Sequence, residues 1–275
     1  MQEIYGATND VVFKTLFAKD SNKDLLKSLI ESTLKIEVED LNVKNSEISA
    51  DNIADKFCRL DIVADTKTAL INLEMQVCDS AKTFADRFLF YWSKLYSGDI
   101  AKGEEYTELR KTISVAFLDC KMYNHDDVHS RFTPFDEVHK IDMTDKAEWH
   151  FFELKKLKFD ATQTDIEKLW LRFLAARNEE DLTMLQQTAT NDNIQKAITE
   201  VYKLNADEQM KWQIRDREIA RVNEAVQMTA VRKQAFEEMV LGMLKEGLAM
   251  PVITKISKFS PKDILQIATE NGIKI

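Results

Sequence analysis

The chain is predicted to fold as an α+β module followed by an all-helical module, and two patterns carry that prediction. Strand-like segments with period-2 polarity are confined to roughly the first 160 residues. From about residue 160 to Lys245, glycine and proline almost vanish and apolar residues recur at helical spacing. The composition of the 275 residues, 44% hydrophobic and 31% charged, suits a soluble globular protein with ample core. The expected division is 1–160 for the α+β module and 161–275 for a helical region with short terminal helices.

Taken in order, Thr8, Asn9 and Asp10 offer N-capping side chains ahead of an apolar helical pattern, Val11, Val12, Phe13, Leu16 and Phe17. Leu25, Leu26, Leu29, Ile30 and Leu34 mark a second helix. Extended segments follow at 36–43, 58–65, 70–77 and 112–119, with an aromatic-rich helix from about Phe84 to Gly103 between the last two. Shorter extended stretches fall at 135–142 and 149–154. Residues 207–246 read as one long helix or two. Pro251 and Pro261 then punctuate two short helices separated by 258–261.

Composition also excludes function classes. No apolar run approaches the roughly 18 residues of a membrane span, and the N-terminus lacks the apolar core of a signal peptide, so no membrane role and a cytoplasmic location are expected. Cys58, Cys78 and Cys120 are too few and too scattered for a disulfide framework or a zinc cluster. His125, His129, His139 and His150 lack metalloprotease spacing, and no glycine-rich phosphate loop is present. The net charge is −9, with 16 Lys+Arg against 21 Asp+Glu in residues 1–125 and 22 against 26 in 126–275. Neither half is basic, so any DNA contact must be a local patch helped by a bound cation. Lys211 with Arg215, and Arg217 with Arg221, form basic pairs, but Asp216, Glu218 and Glu224 among them favour a solvated face.

Chemistry concentrates in two strands. In 59–65 the period-2 rule sets Leu60 and Ile62 on one face and Arg59, Asp61 and Val63 on the other. In 70–77, Ile71, Leu73, Met75 and Val77 oppose Asn72, Glu74 and Gln76. A hairpin with Lys67-Thr68 at its tip would set Asp61 directly across from Glu74, with Cβ atoms roughly 4.5–5.5 Å apart. Two carboxylates that close repel each other unless a cation neutralises them, and Mg²⁺ is commonly held by one or two carboxylates with water and phosphate. Spacing alone leaves two readings open: a metal-binding pair, or a polar face in solvent.

The blocks 8–17 (TNDVVFKTLF), 59–63 (RLDIV), 72–77 (NLEMQV) and 84–106 together resemble the Rpn-type recombination-promoting nucleases and transposases of the PD-(D/E)XK nuclease superfamily. The similarity continues through 148–156, 169–176 and the helical C-terminal region. The resemblance implies a restriction-endonuclease-like mixed sheet flanked by helices, and a DNA endonuclease linked to recombination or mobile elements. It implies Mg²⁺, with Mn²⁺ as substitute, held by Asp61, Glu74, the Met75 carbonyl and Asp10. Catalysis would fall to Asp61, Glu74 and Gln76, the last standing where the superfamily pattern has lysine. Lys14, Arg87 and Tyr91 are implied substrate contacts, although Asp10 is equally a helix cap and Lys14 equally its surface ion-pair partner. DNA is the implied partner, and cutting both strands would suit a homodimer. The other reading is a nuclease-fold protein that binds nucleic acid or a partner without cutting.

Overall fold

The computed structural model describes residues 4–44, 47–48, 58–59, 61–77, 81–101, 103–158 and 164–273. Leu60 and the side chain of Arg59 lie outside them. The helices are α1 (Asp10–Phe17), α2 (Lys23–Leu34), α3 (Ala81–Ser97), α4 (Ile166–Ala175), α5 (Glu179–Thr188), α6 (Asp192–Ala206), α7 (Glu208–Lys245), α8 (Met250–Ser257) and α9 (Pro261–Glu270). The strands are β1 (Leu41–Lys44), β2 (Glu47–Ile48), β3 (Cys58–Arg59), β4 (Ile62–Thr66), β5 (Ala69–Gln76), β6 (Lys111–Leu118), β7 (His129–Phe132), β8 (Phe135–Asp136), β9 (Ile141–Asp142) and β10 (Ala147–Glu153). The chain forms two compact units, residues 1–214 and 215–275.

A six-stranded mixed sheet ordered β1-β4-β5-β6-β10-β7 organises the first unit. β5, β6 and β10 run parallel at its centre, whereas β1, β4 and β7 pair antiparallel. The segments 70–77 and 112–119 therefore lie side by side in the middle, and helices cover both of their faces. On one face Ile62, Ala64, Ile71, Leu73, Met75, Val115 and Phe117 pack against apolar residues of α1, α2, α4, α5 and α6. Trp170 is fully buried there, and its indole N–H donates to Ser28 Oγ at 3.0 Å. On the other face Phe84 and Phe88 of α3 pack on Ala116, Leu118 and Phe151, while Leu95 packs on Val63 and Leu70.

The two compact units part at 214/215, so α4, α5 and α6 lie with the sheet in the first unit. Helices α4 to α6 bury their apolar stripes on the sheet face beside α1 and α2. The N-terminus is tied into the same layer. The Tyr5 amide donates to Asn205 Oδ1 at 2.8 Å, and Asn205 Nδ2 returns a bond to the Tyr5 carbonyl at 3.0 Å. Gly6 crosses so close to the chain after α4 that a Cβ there would lie 2.1 Å from the Ala176 carbonyl oxygen. These ties fix where α1 starts, and so where its side chains reach.

Residues 207–246 resolve into one helix, α7, rather than two. In the second unit, Val240 and Leu244 of α7 pack with Ile253 of α8 and Ile264, Ile267 and Ala268 of α9. Ser260 and Asp263 form a reciprocal capping box at the start of α9, with Pro261 in its first turn. Cys120, just past β6, is disulfide-bonded, which the cysteine spacing did not suggest. No helix among the described residues is long and apolar enough to cross a membrane.

Candidate active site

The β4–β5 hairpin sets the geometry. Its tip is Lys67-Thr68, closed by Thr66, whose hydroxyl donates to the Ala69 carbonyl and accepts from the Ala69 amide, both at 2.9 Å. The register pairs Ile62 with Leu73 and Val63 with Asn72. Extended by one step, it sets Asp61, immediately before β4, across from Glu74. Asp61 Oδ2 accepts the Met75 amide at 3.0 Å, which locks the carboxylate against the partner strand.

The polar face of β5 is not a solvated one. Asn72 is fully buried and Glu74 only 5% exposed, because α3 lies over this side of the sheet. Burial, and next the charge of Asp61, push the Glu74 carboxyl up to about 7, against the opposing pull of Asn72, Arg87 and Lys14. Asn72 Nδ2 donates to Glu74 Oε1 at 3.0 Å and so orients the group. Asn72 Oδ1 and the neighbouring Ser114 Oγ are buried without a protein hydrogen-bond partner. Asn72 is the site residue that sequence reasoning passed over. Its one signal was a shared face with Glu74, two residues on.

Lys14 projects from α1 to Asp61, with Nζ 2.8 Å from Oδ1. Asp10 occupies the first position of that helix, one turn earlier. The cap is Asn9, whose side chain accepts from the Val11 and Val12 amides, so Asp10 is released from that role. Gln76 is engaged at both ends of its amide. Arg87 Nη2 donates to Oε1 at 2.6 Å, and Gln76 Nε2 donates to the Val77 carbonyl at 2.6 Å. Arg87 also stands over the Phe84 ring, 5.5 Å from its centroid. Tyr91, half-buried, packs beside Val63, Leu70 and Leu95. Met75 buries its side chain in the core and presents only backbone to the site.

The donors present fit a small hard dication. Two carboxylates near enough that Asp61 raises the proton affinity of Glu74, with an ammonium already drawn onto Asp61, form an acidic centre that a cation neutralises. Among the described residues no three His, Cys, Asp or Glu side chains converge as a metal cage. Mg²⁺ does not require one, since it is commonly bound through one or two carboxylates and completed by water and substrate phosphate.

A mixed sheet with helices on both faces, carrying an acidic pair across the adjacent strands β4 and β5, is the frame expected of a nuclease-type α+β protein. A model of the PD-(D/E)XK nuclease family transposases matches residues 7–230, which takes in every candidate residue and the whole sheet. The chain belongs to this family of PD-(D/E)XK nucleases. No curated protein and no solved structure gives a match.

Proposed function

We propose that the chain is a divalent-metal-dependent DNA endonuclease, Mg²⁺ being the physiological ion, that hydrolyses phosphodiester bonds in the course of recombination or element mobility. The observation that carries this reading is Glu74: a buried carboxyl, raised to about 7, across the hairpin from an Asp61 held by backbone and by Lys14. An isolated buried carboxylate is costly, and a structural role would be met more cheaply by an apolar residue. Asp61 and Glu74, helped by the Met75 carbonyl and by Asp10, would hold the ion. Such an ion supplies an activated water and neutralises charge on the departing oxygen.

The chain's own residues do the rest. Asn72 fixes Glu74 Oε1 and so orients the carboxyl that would help hold the ion. A carboxyl held at about 7 carries its proton part of the time near neutral pH and would have to release it to hold a cation. Lys14 balances Asp61, and its ammonium would also be placed to meet a phosphate oxygen. In this way α1 supplies the positive charge that Gln76, being neutral, does not. Gln76 acts by holding Arg87, whose guanidinium sits at the exposed rim near Glu74. Incubation of supercoiled plasmid with Mg²⁺ tests the reading: wild type nicks or linearises it and Asp61→Ala does not. Cleavage that survives the substitution would sink the assignment.

A second reading, a nuclease fold that binds nucleic acid or a partner and cuts weakly or not at all, draws on one observation. Both ends of the Gln76 amide are already engaged, so it has little capacity left for water or phosphate. DNA binding without cleavage under any divalent metal would favour that reading.

A further inference from the structure

Positive charge gathers at one place outside the carboxylate centre. A pocket of about 280 Å³ opens beside the C-terminal ends of β6 and β10, and its charged lining is Lys155, Lys158, Arg172 and Arg177 against Asp119 and Asp181. Both acids are turned toward Arg177: its guanidinium pairs with Asp119, and its backbone N–H donates to Asp181 Oδ2 at 2.9 Å. Lys155 and Lys158 are exposed, and no carboxylate among the described residues pairs with either. In a chain of net charge −9 with neither half basic, this is a local reversal of sign around a concave surface.

Its position connects it to the carboxylates. β5, β6 and β10 are parallel neighbours, so Glu74, Asp119 and the residues after β10 share one edge of the sheet. The Asp119 amide donates to the Gln76 carbonyl at 2.9 Å. Counted across the sheet, the pocket begins one strand from β5 at this same end, on the face covered by α4 and α5, whereas Glu74 lies on the face covered by α3. Successive phosphates of one strand rise about 3.4 Å along the axis, so a strand crossing this end of the sheet carries further phosphates past the pocket. Cations beside, and not within, an acidic metal site are what a polyanion needs in order to be held there.

We propose that this pocket binds a backbone phosphate of the nucleic acid a few nucleotides from the position presented to Asp61 and Glu74. The proposal rests on the nuclease reading for its substrate, but it is tested by binding alone. A fluorescently labelled DNA duplex is titrated by anisotropy in EDTA over a range of salt, with full-length wild type, Lys155→Ala/Lys158→Ala, and Lys196→Ala/Lys203→Ala. The last pair removes equal charge from lysines that are paired with Asp24 and Glu200 elsewhere on the surface. Loss of the pocket lysines is expected to lower the slope of log K against log[salt] by about 1–2 and to weaken binding roughly tenfold at moderate salt, while the control leaves both unchanged. Inorganic phosphate at millimolar concentration should not displace the duplex; displacement would mark a site for the free anion and overturn the proposal. A wild-type slope in the pocket variant, or an equal loss in the control, would also overturn it. Cleavage is scored separately. A protein that shows the slope change but cuts nothing with any divalent metal refutes the nuclease reading and leaves the pocket standing.

Discussion

Replacing Glu74 by glutamine tests the electrostatics of the centre without touching its shape. The carboxyl is 5% exposed and raised from 4.5 to about 7, first by burial and second by Asp61. A group whose proton is held more tightly in the folded chain stabilises the fold fully below its unfolded value, here 4.5, and loses that contribution as the pH rises through about 7. The loss corresponds to ~3 kcal/mol by pH 9. The substituted amide keeps an oxygen to accept from Asn72 Nδ2 and carries no charge at any pH. Urea unfolding in EDTA should therefore find Glu74→Gln close to wild type at pH 4.5 and more stable by ~3 kcal/mol at pH 9. For a unit of this size that is on the order of 5–10 °C in melting temperature. Mg²⁺ added at pH 8 should stabilise wild type far more than the variant. A variant whose advantage over wild type is no larger at pH 9 than at pH 4.5 would show that Glu74 is not ionised at a cost, and the argument for a cation there would fall with it.

Three further outcomes follow from the same geometry. Burial pushes His150 down to about 4 from 6.5, so its contribution is present above 6.5 and is lost as the pH falls toward 4; His150→Gln should remove ~2–3 kcal/mol of the stability difference between pH 7 and pH 4.5 in urea titrations. Gly6→Ala places a methyl 2.1 Å from the Ala176 carbonyl and should destabilise the first unit by ~1–3 kcal/mol, read from the denaturation midpoint. Lys14→Met should retain the fold yet slow plasmid cleavage by on the order of 100-fold, because the ammonium aimed at Asp61 has no other source on α1; cleavage at the wild-type rate would make Lys14 a structural pair only.

The hairpin was legible because two strands of matching polarity flank a two-residue gap, and a tight turn at that gap sets a register that keeps Ile62, Ala64, Leu73 and Ile71 together on an apolar face. The burial of Asn72 and Glu74 was not, since period 2 separates two faces without saying what covers the second one. That cover is α3, whose phenylalanines read only as an aromatic-rich helix. What the helices after residue 160 pack on was not legible for a similar reason: a helical stripe announces that it will be buried, not against what. β7 escaped notice because it is a four-residue edge strand carrying His129 and Arg131, held by pairing to β10 and not by an apolar pattern of its own. The reach of Lys14 to Asp61 is a tertiary fact, set by the ties of Tyr5 and Gly6 that place the start of α1.

Anomalous diffraction from crystals soaked in Mn²⁺ tests the central claim most directly. The account predicts a peak within coordination distance of both the Asp61 and the Glu74 carboxylates, absent in Glu74→Gln crystals. Mn²⁺ bound elsewhere with nothing between those two side chains, or an identical peak in the variant, would contradict it.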